Sequence, residues 1–198
     1  KLWLMRSALA LCLLLTSGAA YAAPMQAPAP KPQAPVPKEA ASADTLFAQL
    51  KAAEREEDAH PIEQKLMALF RASGSPSVDL LIARVQAALA ATDKETAKKL
   101  IDAVTAIAPN YAEGWHIRAG LEHAADDDTA ALVSLQKTVQ LNPRHFRALD
   151  ELADMLEEYG DKAGALKLYR RALELNPHLP GTTQKVRELT TKVEGRDI

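Results

Sequence analysis

This sequence has few cysteine and aromatic residues, and it has no excess of positive charge. One cysteine, Cys12, stands among 198 residues, so no intrachain disulfide can form. Aromatic residues make up 5% of the chain although hydrophobic residues reach 47%, and the alanine and leucine that fill this difference favour helices over strands. Lysine and arginine number 24 against 26 acidic residues, which leaves no basic excess for binding nucleic acid.

The sequence also lacks the short motifs of common catalytic sites. It contains no G-x-S-x-G, no glycine-rich phosphate-binding loop and no H-E-x-x-H. We therefore predict that the protein is not an enzyme and that it uses no cofactor.

Residues 1–22 have the composition of a secretory signal peptide. Lys1 and Arg6 form a short positive region, and an apolar run follows from Ala8 to Leu15. Ala20–Ala22 has the A-x-A form of a cleavage site, so we expect cleavage after Ala22 and a periplasmic or secreted protein. The alternative is an uncleaved N-terminal anchor.

Residues 23–43 are rich in proline and alanine, which predicts a disordered linker. Dense prolines exclude a helix and favour extended polyproline II structure. We interpret the segment as a spacer, and the alternative is a ligand for an aromatic groove on another protein. The prolines are Pro24, Pro28, Pro30, Pro32, Pro35 and Pro37.

A period of 34 residues dominates the second half of the chain. Pro109, Pro143 and Pro177 are separated by 34 residues each. Small and apolar residues recur in the same register, as in the sets Ala97/Ala131/Ala165 and Ile101/Leu135/Tyr169. Within the period these residues follow the i, i+3, i+4, i+7 spacing of a helix face.

Polar residues mark where several of these helices start. Asp161 follows Gly160 and can accept hydrogen bonds from the first turn of a helix that ends before Pro177. Thr92 and Glu95 have the S/T-x-x-E form of a capping box. The run Asp126–Asp128 precedes another helix, where negative charge is favoured, and a cation site is the less favoured interpretation.

This pattern resembles the tetratricopeptide repeat (TPR), whose units combine two helices with a closing proline. The third unit fits best, with residues such as Leu149, Ala153, Tyr169 and Pro177. Arg84 in the first unit and Arg118 in the second depart from it, because the family prefers apolar residues there. The resemblance implies an all-α fold, a right-handed α-solenoid of antiparallel helix pairs. The three units are 78–111, 112–145 and 146–179.

The flanks of the three units are also expected to be helical. Residues 44–77 span one repeat length and are interpreted as a degenerate N-terminal helix pair, a capping repeat stacked before the first unit. We expect its helices at about 45–57 and 61–72, with Pro61 in a first turn. Residues 180–198 are predicted to form a C-terminal capping helix, to about Val193, and a tail.

The resemblance further implies a concave groove lined by the first helix of each unit. Its second, fifth, ninth and twelfth positions would bind a peptide. The candidate binding residues are Glu113, His116, His123, Arg147, Asp150, Asp154 and Glu157. Chaperone tails are excluded, because the lysine and asparagine that hold their C-terminal carboxylate would be needed near Ile82 and Gln86.

We therefore interpret the chain as a non-catalytic adaptor or assembly factor of a bacterial cell envelope. The acidic residues of the third unit favour a basic or neutral protein or peptide partner. No nucleic acid partner and no stable membrane span after signal cleavage are expected. One alternative is a solenoid that self-associates without a peptide ligand. The other is a metal-binding protein that uses His116 and His123.

Overall fold

The computed structural model describes residues 38–195, and it contains helices and no strands in that range. The all-α prediction is therefore confirmed. None of the described helices is long and apolar enough to cross a membrane. The helices are α1 (Lys38–Ala52), α2 (Glu56–Arg71), α3 (Pro76–Ala90), α4 (Lys94–Ile107), α5 (Ala112–His123), α6 (Asp128–Leu141), α7 (Phe146–Glu158), α8 (Lys162–Leu175) and α9 (Thr182–Val193).

The signal peptide predicted at 1–22 lies outside the described residues, as does most of the linker predicted at 23–43. Helix α1 begins at Lys38, inside the predicted linker. The run of prolines ends at Pro37, and the glutamate and alanines that follow are strong helix formers.

The second helix of each predicted repeat starts in the same way. Asp93, Asp127 and Asp161 are the N-caps of α4, α6 and α8, and each accepts a hydrogen bond from the backbone N–H three residues later. Asp161 thus caps its helix as the sequence indicated. The capping box predicted from Thr92 is wrong by one residue, because Thr92 adopts a left-handed backbone with φ of 61° and Asp93 takes the cap.

Each of the three units is an antiparallel helix pair with closely packed alanines. Helices α3 and α4, α5 and α6, and α7 and α8 form the pairs, and α4, α6 and α8 each pack against the helix that follows. Ala97, Ala131 and Ala165 are completely buried within these pairs. The solenoid core therefore uses the small residues that the 34-residue period singled out.

The N-terminal pair, α1 and α2, does not stack before α3 as a preceding repeat would. Its buried residues Phe47 and Leu66 instead share a hydrophobic cluster with Phe146 and Leu149 of α7. The Phe47 ring meets the Phe146 ring edge-on at 6.4 Å. Helix α2 also begins at Glu56, before the start expected at about residue 61, so Pro61 lies inside the helix rather than in its first turn.

Like charges would meet if the pair stacked before α3 in the repeat register. In the repeat register, Arg71 of α2 is equivalent to Thr105 of α4, and Arg84 of α3 is equivalent to Arg118 of α5. Arg118 donates to the Thr105 hydroxyl at 3.3 Å. Stacking α2 before α3 in that register would therefore place Arg71 against Arg84, and two like charges in contact are unfavourable.

Helix α9 covers the far end of the array. Leu189 is completely buried in a cluster with Ala165, Leu166 and Tyr169 of α8. Arg170 of α8 and Glu194 form an ion pair across the same contact. The third unit therefore does not expose the face that a further repeat would cover.

Candidate functional site

Two neighbouring clefts separate the first helices of the three units. The α3–α5 cleft has a volume of about 360 Å³ and the α5–α7 cleft about 280 Å³. Gly120 of α5 and Glu151 of α7 line both clefts. The α5–α7 cleft is lined by Ala119, Gly120, His123, Leu135, Glu151, Asp154, Met155 and Glu158.

Six of the seven candidate binding residues are divided among three clefts. Glu113 and His116 line the α3–α5 cleft, whereas His123 and Asp154 line the α5–α7 cleft. Arg147 and Asp150 line a third cleft of about 400 Å³, which they share with α2 and the turn at residues 178–180.

Glu157 lies on none of these three clefts and accepts a hydrogen bond from the Tyr169 hydroxyl at 3.2 Å. The binding role of all seven residues stays a prediction. Their division means that one extended ligand in the α5–α7 cleft would contact only some of them.

A buried cluster of two histidines and a carboxylate joins α5 to the start of α7. Glu113 Oε2 lies 2.9 Å from His145 Nε2 and 3.5 Å from His116 Nδ1. His116 Nε2 lies 3.0 Å from Glu151 Oε2. His145 is completely buried, and its ring centroid lies 5.0 Å from that of Phe70 in α2. The cluster therefore links the repeats to the N-terminal pair.

The two carboxylates hold His116 in its charged form. Burial alone would lower the pKa of His116, but the hydrogen bonds to Glu113 and Glu151 outweigh it and raise that pKa to about 9. Burial would likewise raise the pKa of Glu113, and the hydrogen bonds from both histidines lower it to about 2. Burial lowers the pKa of His145. At neutral pH the cluster is thus Glu113⁻, His116⁺ and neutral His145.

His145 caps α7, and this contact fixes its tautomer. Its Nδ1 accepts the backbone N–H of Ala148 at 3.1 Å. A neutral imidazole that accepts at Nδ1 carries its proton on Nε2, so Nε2 donates to Glu113. A metal ligand needs a free lone pair, and this arrangement leaves none on either ring nitrogen.

The metal alternative based on His116 and His123 gains no geometric support. His123 Nδ1 instead lies 2.7 Å from Asp128 Oδ1, on the exposed side of α5. In the described part of the chain, the three side chains close enough to share an ion are Glu113, His116 and His145, with ligand atoms within 4.8 Å. The tautomer of His145 argues against an ion there as well.

Helix α9 provides partners for two acidic residues of α7, Asp150 and Asp154. Asp150 accepts from the Thr182 hydroxyl at 2.8 Å, and burial raises the pKa of Asp150. Asp154 accepts from the Tyr169 hydroxyl and forms an ion pair with Lys185. The acidic residues that line the α5–α7 cleft are Glu151, Asp154 and Glu158. Two of them also have partners within the chain, since Glu151 contacts His116 and Asp154 contacts Lys185.

Sequence reasoning missed His145, Thr182 and Lys185. His145 is equivalent to Tyr111 and Leu179, the residues that precede α5 and that follow the third closing proline. That position was interpreted as the end of a repeat, so its role as a buried cap was not considered. Thr182 and Lys185 lie beyond the third unit, where the repeat pattern provides no guide.

Comparison with known proteins places this geometry in a family. The family model described as tetratricopeptide repeat matches residues 146–179, the range of the third unit. A TPR repeat-containing protein of Rhizobium etli is 28% identical over 152 residues, which cover 77% of this chain and 74% of the relative. Residues 146–179 thus match the tetratricopeptide-repeat family, and the relative and the solved structures support the same family for the chain.

Two solved structures illustrate the similarity of the fold. The Sgt2 TPR domain of Aspergillus fumigatus has a TM-score of 0.53 and 21% identity, and covers 61% of this chain and 81% of its own. The type III secretion chaperone SycD of Yersinia enterocolitica, solved with a peptide of the translocator YopD, has a TM-score of 0.53 and 16% identity over 60% of this chain and 95% of its own. Identities this low establish the shared fold alone.

Proposed function

We propose that the protein is a non-catalytic protein-interaction module that binds an extended segment of a partner in the α5–α7 cleft. The observation that carries this proposal is Gly120. It is exposed on α5, borders both clefts, and leaves open space where any other residue would have a Cβ. No side chain at position 120 narrows either cleft, although a helical glycine costs about 1 kcal/mol relative to alanine.

The lining of the cleft suits a peptide with apolar and basic side chains. Ala119, Leu135 and Met155 are buried at its floor, and the flexible thioether of methionine adapts to different shapes. Asp154 and Glu158 lie at its acidic side. Opposite charge at the rim would orient a partner and speed its association.

Related folds support binding of this kind. The solved SycD structure contains a peptide of its translocator, and another TPR domain of TM-score 0.53, the first of Spaghetti (RPAP3), was solved bound to an HSP90 peptide. Those ligands belong to those proteins. For this chain they support only the class of ligand, a short peptide segment.

We also propose that the module works outside the cytoplasm, as an adaptor or assembly factor of a bacterial envelope. This part rests on the signal-like residues 1–22 and on the proline-rich residues that follow. Fractionation of cells that express the full chain tests it, because periplasmic material with a new N-terminus at Ala23 is the expected product.

Peptide selection with two variants at one position tests the cleft. A displayed library of random peptides is selected on the wild-type chain and then measured against Gly120→Ala and Gly120→Trp. Alanine keeps the cleft open and improves the helix, whereas tryptophan fills the space beside α7. We expect the selected peptides to bind wild type and Gly120→Ala and to lose at least about tenfold in affinity for Gly120→Trp. Equal binding to all three proteins would contradict the proposal.

A further inference from the structure

The first unit has an open face at positions that the next two units bury. Gly114 and Ala148 are buried against the preceding helix, but the equivalent Leu80 is 56% exposed. Leu121 and Met155 are buried in the same way, whereas the equivalent Ala87 is exposed. The outer face of α3, which we define as Leu80, Arg84 and Ala87, is thus a stacking face without a neighbouring helix in the described part of the chain.

The next unit shows which helix this face would accept. There Arg118, equivalent to Arg84, lies against α4 with its Nε 3.6 Å from Asp102 Oδ1. It also donates to the hydroxyl of Thr105 at 3.3 Å. Beside this polar contact, a Cβ on Gly114 would lie 3.1 Å from Val104, so the two helices approach closely. Arg118 also pairs at 2.7 Å with Glu122 of its own helix, a position that is Ala88 in α3. Arg84 has no such carboxylate on its own helix, so the helix that packs against it would need to present one, with a hydroxyl three residues later.

The chain's own N-terminal pair cannot supply that helix. The residues equivalent to Asp102 and Thr105 are Ala68 and Arg71, so α2 offers a methyl group and a positive charge instead. Helix α2 is also engaged elsewhere, through Glu63 and Phe70, with the start of α7. Arg84 itself is exposed on α3.

We propose that the outer face of α3 docks a helix of a second protein, one with a carboxylate opposite Arg84 and small or apolar residues against Leu80 and Ala87. This surface is separate from the cleft proposed above. A second copy of the chain is a poorer match, because its helix with the right pattern, α4, already covers its own α5. The partner would extend the solenoid by one stacked helix.

The test uses a peptide with the sequence of α4, the helix that contacts Arg118 in the next unit. A stapled helix with the α4 sequence, residues 92–108, is labelled and titrated into the full chain, with fluorescence anisotropy as the readout. Arg84→Glu is compared with Arg187→Glu, which makes the same change of net charge at an exposed position of α9. We expect the wild type to bind the peptide, Arg84→Glu to bind about fivefold more weakly, and Arg187→Glu to bind as wild type.

A charge swap then assigns the contact. On Arg84→Glu, a peptide with the Asp102→Lys change should bind at least as well as the original peptide. On the wild-type chain, the changed peptide should bind more weakly than the original. The peptide could otherwise displace the chain's own α4, and in that case Arg84→Glu would have no effect, which overturns the proposal. Equal weakening by both charge variants would also overturn it.

Light scattering decides between a second protein and a second copy. The proposal expects a monomer whose mass is unchanged by Leu80→Glu. A dimer that Leu80→Glu dissociates would overturn the assignment of the occupant. Binding of cleft-selected peptides should be the same in Leu80→Glu and wild type, so failure of this proposal is distinguishable from failure of the cleft.

Discussion

Arg147 at the start of α7 binds Glu63 of α2, with its Nε at 3.0 Å and its Nη2 at 2.5 Å from the same carboxylate oxygen, Oε1. The pair ties the N-terminal helices to the third unit, eighty-four residues away in sequence. Arg147 was predicted to contact a ligand, but in the structure it binds Glu63 of the same chain. Like the other six predicted binding residues, Arg147 already has an intramolecular partner.

A double-mutant cycle tests this attachment. Glu63→Gln and Arg147→Gln should each destabilise the protein, and the free energies of unfolding should show a coupling of about 0.5–1 kcal/mol, since Arg147 is partly exposed. The matched cycle of Glu63→Gln with Arg84→Gln should show none beyond about 0.3 kcal/mol. Absence of coupling between Glu63 and Arg147 would contradict the attachment.

Overpacking should disrupt the repeats at their buried alanines. Ala131→Leu and Ala165→Leu each add three heavy atoms where no space exists, and the expected loss is about 1–3 kcal/mol of unfolding free energy. Ala103→Leu is the control, because Ala103 is exposed on α4. Urea denaturation gives the comparison, and unchanged midpoints for both buried variants would count against the packing described.

Glycine at position 92 should stabilise the protein. Thr92 has φ of 61°, and the equivalent residue of the third unit is Gly160 with φ of 89°. A β-branched residue in the left-handed region costs about 1–2 kcal/mol, so Thr92→Gly should raise the free energy of unfolding by about 1 kcal/mol. Ala91→Gly, at an ordinary φ of −83°, should lower it instead.

The charge on His116 predicts a pH dependence of stability at alkaline pH. The pKa of His116 is about 9 in the folded protein against an ordinary value of 6.5. The folded state therefore holds this proton more tightly, so its stabilising contribution is complete below the ordinary value and is lost as pH rises through the folded pKa. Urea denaturation should show this decline in wild type and not in His116→Gln.

Two neighbours of His116 change stability in the acidic range. The pKa of Glu113 is about 2 against 4.5, so its contribution is present above 4.5 and is lost as pH falls toward 2. The lowered pKa of His145 also removes stability as pH falls below its ordinary range. An NMR titration that follows the imidazole nitrogens of the two histidines and the carboxyl carbon of Glu113 separates the three groups. A His116 that titrates near 6.5 would contradict the cluster.

The 34-residue period predicted the repeats well because their packing is local and repetitive. Ala131, Ala165 and Tyr169 are all buried where the helix pattern placed them. The cap at Asp161 followed from the same pattern. The cap at Asp93 did not, because a capping box at Thr92 has the same residue spacing, and only the left-handed φ of Thr92 decides between them.

The packing of α1 and α2 could not be predicted from the period. A helix pair of one repeat length has the sequence features of a further repeat. The contact that disfavours stacking, Arg71 against Arg84, involves residues at non-equivalent positions of neighbouring units. That contact becomes visible only when Arg118 and Thr105 are seen to touch in the next unit. The burial of His145 could not be predicted either, because it depends on contacts with Glu113 and Phe70, which are distant in sequence.

A chemical-shift titration of the wild-type chain with a cleft-selected peptide tests the central claim most directly. Backbone amides are assigned, and the peptide is added to saturation. The account predicts the largest shifts at Gly120, Glu151 and Asp154, with little change on α2. Shifts concentrated on α2 and the turn at residues 178–180, with none at Gly120, would contradict the claim that the α5–α7 cleft is the binding site.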